Sequence, residues 1–234
     1  MKWFQRASMK QLLLDISSPR PPTLENFIPG HNFELLQTLK NALTNQNLER
    51  FIYVWGNSGC GKSHLLQAVV EAFIQQELKA IYVSCEINSE FAFEAASIRC
   101  MAIDNVERLG AAAQIRLFNF YNQVREEGDA LFLVSGEVSP ARLSLRQDLV
   151  TRLAWGLVYQ IHELNDEEKR EAMKNHAISC GFELPYEICD YLLQHQQRNL
   201  PALIRVVDAL DRYSLAKQRP ITLPLLRELL QVAL

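Results

Sequence analysis

The segment Gly56-Asn57-Ser58-Gly59-Cys60-Gly61-Lys62-Ser63 carries the strongest chemical signal in the chain. Four residues separate its first glycine from Gly61-Lys62-Ser63, which is the spacing of a P-loop. Glycines let backbone N–H groups turn inward around phosphate oxygens, and the N-terminus of a following helix adds a favourable dipole. Lys62 is then the residue that reaches the terminal phosphates, and the Ser63 hydroxyl is a ligand for Mg²⁺. Cys60 falls beside the phosphates, where its thiol is incidental. A second signal is Cys100-Met101-Ala102-Ile103-Asp104, an apolar run closed by a carboxylate. That pattern puts Asp104 at the C-terminal edge of a sheet, close to the metal. A vigorous ATPase needs a further acid next, to polarise the attacking water. Asn105 stands there instead, and an amide cannot accept a proton as a carboxylate does. Nucleotide binding with slow turnover is the expectation.

These residues need a particular scaffold, and the flanking sequence predicts one. Phe51-Ile52-Tyr53-Val54-Trp55 is continuously apolar up to Gly56, as a strand buried on both faces of a parallel sheet must be. A helix from about Ser63 follows, with Leu65, Leu66, Val69, Val70, Phe73 and Ile74 on one face. Further strands are predicted at Ala80–Val83, Cys100–Ile103, Leu131–Val134 and Leu157–Ile161. Helices are predicted from Phe33 to Ala42 and at Ala111–Glu127, the latter with Ile115, Phe118, Tyr121 and Val124 inward. The alternation is α/β with a mainly parallel sheet flanked by helices. After Ile161 only helical texture remains. Asn165 with the acids behind it reads as an N-cap and Gly181 as a stop. Helices follow near Pro185–His195, Leu200–Lys217 and Leu223–Leu230, making a small C-terminal all-helical lid. The expected organisation is an extended, proline-punctuated arm over 1–22, a nucleotide-binding α/β domain over 23–163 and the lid over 164–234. The proline-rich texture extends to Pro29, so the first 30 residues read as unfolded.

Composition bounds the function classes. The chain has 234 residues, 48% apolar and 22% charged, with 24 Lys+Arg against 27 Asp+Glu, the profile of a globular protein with a real core. A basic surplus of the kind that accompanies phosphate-driven DNA binding is absent. No apolar run approaches the roughly 18 residues of a membrane helix, and Leu12-Leu13-Leu14 is too short for a signal peptide. Membrane and secreted classes are therefore set aside in favour of a cytoplasmic one. His176, Cys180 and Cys189 lie near one another but match no common zinc spacing, so the odd set of cysteines reads as buried reduced thiols.

From about residue 23 onward, the P-loop, the Asp104 strand and the helical C-terminal part resemble an AAA+ domain. The resemblance is closer still to the nucleotide-binding part of the bacterial DnaA family. Thr23-Leu24-Glu25-Asn26-Phe27-Ile28-Pro29-Gly30 is similar to the family's lead-in segment, which flanks the adenine. The resemblance thereby assigns the ligand, ADP or ATP with Mg²⁺, to Phe27, Ile28, Gly56, Gly59, Cys60, Gly61, Lys62, Ser63 and His64, with Ser63 and Asp104 toward the metal. Leu133-Val134-Ser135-Gly136-Glu137 is similar to the sensor-1 strand, with Ser135 and Glu137 as its polar candidates. Asp148-Leu149-Val150-Thr151-Arg152-Leu153-Ala154-Trp155-Gly156 resembles the arginine-finger segment, which implies that Arg152 acts in trans on a neighbour's nucleotide. The sensor-2 position is held by Pro201, and Arg198 and Arg205 are out of register with it.

The front of the chain adds a partner. Gln11-Leu12-Leu13-Leu14-Asp15-Ile16 resembles the short peptide that docks on the bacterial sliding clamp, with Gln11, Leu12, Leu14 and Ile16 as contacts. A helix-turn-helix domain of the DnaA kind is not found before Leu234, so no sequence-specific DNA binding is expected. Together these resemblances imply a regulatory adaptor with DnaA and the DNA polymerase III β sliding clamp as partners and self-association as a further expectation. Such an adaptor stimulates hydrolysis of DnaA-bound ATP and prevents re-initiation, with Arg152 catalytic in trans and Asp104 and Asn105 completing a weak site of its own. The competing class is an autonomous AAA+ ATPase of the helicase- or clamp-loader type. A small-molecule P-loop kinase is disfavoured, because no lid of arginines appears.

Overall fold

The computed structural model describes residues 21–44, 49–85, 98–127 and 130–232. Gln11–Ile16 lies outside them. The sheet has five parallel strands in the order β2-β3-β4-β1-β5: β1 Phe51–Trp55, β2 Ala80–Ser84, β3 Cys100–Asp104, β4 Leu131–Gly136 and β5 Leu157–Gln160. Burial follows that order. β3 and β4 are buried at every residue, whereas the edge strands β2 and β5 are only half-buried. This is why the inner strands read as unbroken apolar runs.

Helices cover both faces. α1 (Phe33–Leu43) and α2 (Lys62–Gln75) pack on one, burying Leu35, Leu39, Leu65, Leu66 and Val69 against Ile52, Val54, Cys100, Ala102 and Leu133. On the other, α3 (Ala111–Glu127) and α4 (Gln147–Leu153) bury Leu117, Tyr121, Leu149 and Leu153 against Tyr53, Met101, Ile103, Phe132 and Val134. The alternation along each strand thus feeds two separate cores. A third core joins α5 (Asp166–Ser179), α6 (Tyr186–His195), α7 (Leu200–Lys217) and α8 (Leu223–Val232) around Met173, Ile188, Leu192, Leu203, Val207 and Leu226. None of the described helices is long and apolar enough to cross a membrane.

Several local expectations need correction. The inward face of α3 is Ala113, Leu117, Tyr121 and Val124, whereas Ile115 is 44% exposed. The helix rests on the sheet through an i, i+4, i+8 row with Phe118 and Phe120 partly buried beside it, and Ile115, two positions off that row, belongs to the outer side. Ile74 and Phe33 are likewise exposed, since each sits at a helix end beyond the reach of its core. The segment from Thr23 is not a free arm. Leu24 is buried, and Thr23 and Asn26 cap one another through reciprocal backbone-to-side-chain hydrogen bonds of 2.9 and 3.1 Å. The cysteines are not uniformly buried either, because Cys180 is exposed at the end of α5. The expected cap of that helix is present: Glu168 N–H donates to Asn165 Oδ1 at 2.9 Å and Asn165 N–H to Glu168 Oε2 at 2.7 Å.

Candidate nucleotide site and trans-acting edge

The P-loop leaves the C-terminal end of β1 and enters α2 directly. Gly59 and Gly61 take positive φ, +82° and +105°, the turn that aims successive N–H groups inward. A Cβ on Gly61 would stand 2.9 Å from the Phe27 ring, so the lead-in segment lies directly against the loop. Gly61 is the N-cap of α2, and the amides of Lys62, Ser63 and His64 are the helix's orphan donors. The Lys62 ammonium is buried and held inside the loop, donating to the carbonyls of Gly56 at 2.6 Å and Asn57 at 2.9 Å. The loop is thus a concave, donor-rich, positively charged cradle, the chemistry a nucleotide's phosphates require. Cys60 adds nothing ionic: burial pushes its thiol pKa up, against the smaller pull of Lys62.

The metal-facing corner is built across two strands. Asp104 is buried at the end of β3, accepting a hydrogen bond from the Ser135 hydroxyl on β4 and another, at 2.8 Å, from the Tyr82 hydroxyl on β2. The Ser135 oxygen in turn accepts from the Asn105 N–H at 3.1 Å. Asn105 adopts a left-handed conformation, φ +59°, which an asparagine tolerates better than most residues. Tyr82 also reaches Ser63 and Gln67. Burial first, then the bond to Asp104, pushes its hydroxyl up to about 12. Ser63 and Asp104 therefore share one hydroxyl neighbour, and this hard-oxygen pair would suit Mg²⁺, which would supply charge beside a nucleotide's phosphates. Ser135 joins this corner. Glu137, two residues later and just past β4, is solvent-exposed with its N–H on the Glu107 carboxylate at 3.3 Å.

Predicted residues and ones the sequence did not single out, Asn32, His162, Glu163 and Asn199 among the latter, complete the surroundings. His64 Nε2 meets the Thr23 carbonyl at 3.0 Å and its ring lies 5.8 Å from Phe27, with burial lowering its pKa. Buried Asn32 clamps His162 by two hydrogen bonds, 2.9 and 2.7 Å, and Asn57 donates to Glu163 at 2.9 Å, so the lead-in segment and the chain after β5 are tied around the loop. Ile28 is half-buried in the same segment. Asn199 caps α7 by accepting from the Ala202 N–H at 2.9 Å, and its Cβ lies 3.1 Å from where a Cβ on Gly59 would stand. The lid therefore leans on the P-loop through the start of α7. Pro201 occupies the first turn of that helix, where its missing N–H costs nothing. Arg198 pairs with Asp166, and Arg205 is exposed. Tyr82 was findable in principle, because the parallel register sets Ser84 beside Asp104 and puts Tyr82 on the same face.

Arg152 lies elsewhere. It ends α4, with its guanidinium 4.1 Å above the Trp155 ring and 5.7 Å from Phe118, while Arg125 covers the same indole at 4.7 Å. Trp155 is 53% exposed. Gly156 follows and turns the chain into β5 over Phe51, where a Cβ would meet the Phe51 carbonyl oxygen at 2.0 Å. Phe51 begins β1 and the P-loop follows its end. The two ends of such a strand stand roughly 15 Å apart at about 3.3 Å per residue. The Arg152 segment, which leads into Gly156 beside Phe51, and the P-loop thus lie toward opposite ends of the strands.

Comparison with known proteins agrees with this architecture. The family model of the bacterial DnaA ATPase domain matches residues 20–160, and that of the Hda lid domain matches residues 166–230. Domain III of the Thermotoga maritima replication initiation protein DnaA shares the fold at a TM-score of 0.77 and 24% identity, over 91% of this chain and 96% of that one. AMPPCP-bound DnaA from Aquifex aeolicus has a TM-score of 0.67 and 24% identity, over 83% of this chain and 67% of that one. The Thermotoga maritima RuvB Holliday junction branch migration motor has a TM-score of 0.71 at 18% identity, over 91% and 72%. The setting is replication initiation. The P-loop, the five-stranded order and the lid place the chain in the bacterial DnaA ATPase-domain family of AAA+ proteins, with a lid of the Hda type.

Proposed function

We propose that this protein is a regulatory adaptor that binds an adenine nucleotide with Mg²⁺, docks on the sliding clamp through Gln11, Leu12, Leu14 and Ile16, and stimulates hydrolysis of ATP held by DnaA. The observation that carries the reading is the position of Arg152. Its guanidinium is braced by Phe118 and the exposed Trp155, toward the end of the strands opposite the P-loop. That position supports a role for Arg152 on a neighbour's nucleotide rather than on its own. An arginine supplied in trans accelerates nucleotide hydrolysis by roughly 10³–10⁵. Asn105 supports the division of labour, since a chain lacking the second acid is a poor ATPase for itself.

The experiment loads DnaA with labelled ATP, adds clamp on DNA, and compares wild type, Arg152→Ala, Arg152→Lys and Gln11→Ala for ADP formed. Arg152→Ala is expected to keep clamp binding and lose stimulation. Arg152→Lys recovers little, because a single ammonium does not reproduce the planar donor fork. Gln11→Ala is expected to lose clamp capture and, with it, stimulation. Full stimulation by Arg152→Ala would overturn the trans role. Full stimulation by Gln11→Ala would remove the clamp from the mechanism.

A further inference from the structure

We propose that His176, Cys180 and Asp208 form a binding site for a Zn²⁺-class cation that ties α5 to α7 within the lid. Their ligand atoms, one from each side chain, all lie within 4.8 Å of one another. His176 and Cys180 stand one turn apart at the end of α5, and Asp208 comes from the middle of α7, which packs alongside. His176 Nε2 is 2.6 Å from Asp208 Oδ1 and 3.7 Å from Cys180 Sγ.

The donor set selects the ion. Imidazole, thiolate and carboxylate together are the mixed nitrogen, sulfur and oxygen set that Zn²⁺ accepts, whereas Mg²⁺ and Ca²⁺ take oxygen alone. Around a tetrahedral Zn²⁺, with bonds of about 2.0–2.3 Å, neighbouring ligand atoms stand about 3.5 Å apart. The His–Cys separation already matches that edge, and the His–Asp contact needs to open by under an ångström. Charge agrees as well. A thiolate and a carboxylate neutralise a divalent ion, and the C-terminal end of α5 is itself the favourable end of a helix for a cation. Cys180 is exposed, which gives the ion an approach and leaves the fourth position to water. Binding converts the Cys180 thiol and Zn²⁺ into a Zn²⁺-bound thiolate and a released proton.

The test uses the full chain, freed of metal by chelation and titrated with Zn²⁺ by calorimetry and with Co²⁺ by absorption. One equivalent of Zn²⁺ is expected, with an observed heat that varies linearly with the ionisation heat of the buffer, the slope reporting the proton released. Co²⁺ is expected to show a thiolate-to-metal charge-transfer band. At free Zn²⁺ about 100-fold above its dissociation constant, the melting temperature rises by about 5–10 °C. Cys180→Ser abolishes the band and most of the rise, yet melts like wild type without metal because the side chain is exposed. Asp208→Asn keeps an acceptor for His176 and still weakens Zn²⁺ by at least the roughly 10–100-fold that follows loss of an outer-sphere partner. No stoichiometric binding, or a band and a rise that survive Cys180→Ser, would overturn the site.

Discussion

Ser135→Ala tests whether Asp104 is held as a charged, buried group. Ser135 and Asp104 are 0% and 1% exposed, so water cannot take over the hydroxyl's place. Removing it deletes a hydrogen bond to a carboxylate, about 1.5–3 kcal/mol, and leaves the Asn105 N–H without its acceptor, about 1 kcal/mol more. The sum is about 2.5–4 kcal/mol, or roughly 5–15 °C in melting temperature for a chain of this size. The control is the same change made in an Asp104→Asn background. There the acceptor is neutral and the bond contributes only about 1 kcal/mol, while the loss at the Asn105 N–H is common to both backgrounds, so the coupling between the two positions is about 0.5–2 kcal/mol. Thermal melts followed by circular dichroism, without nucleotide or Mg²⁺, read all four corners of the cycle. An equal cost in both backgrounds, or a cost below about 0.5 kcal/mol in the wild-type background, would refute the charged network.

Three further outcomes follow from the same geometry. Lys62→Ala removes the only buried ammonium of the P-loop and is expected to abolish ADP binding in calorimetry, with the fold retained by circular dichroism. Burial lowers the His64 pKa below its ordinary value, so the neutral ring belongs to the folded state. Its share of stability is complete above about pH 6.5 and is lost as pH falls through the lowered value. His64→Gln is expected to flatten the acid limb of a stability-versus-pH curve, and an unchanged limb would exclude the role. Gly156→Ala forces a Cβ onto the Phe51 carbonyl oxygen. It is expected to destabilise the protein by about 1–3 kcal/mol or more and to blunt stimulation of DnaA by displacing Arg152, measured by melting and by the hydrolysis assay together.

What the sequence determined by itself was whatever lies within one element and its neighbours. The P-loop spacing, the apolar strands that feed it, the cap at Asn165 and the breaks at glycine and proline are local signals, and local rules suffice to read them. All five strands were predicted within a residue or two of where they occur. What needed the tertiary structure was every relation between segments distant in the chain. The lead-in segment reads as an unfolded arm, yet Leu24 and the Thr23–Asn26 cap hold it on the core because the sheet offers a surface for it. Which row of α3 turns inward depended on the sheet beneath it, since Ile115 and Leu117 are equally apolar in sequence. Tyr82 and Ser135 converge on Asp104 only when β2, β3 and β4 are laid side by side. His176 and Cys180 match no zinc spacing along the chain, and Asp208 joins them only because α7 packs against α5. Spacing along a chain reports neighbours one turn or one pleat away, whereas a site assembled from separate elements exists only once their cores have docked.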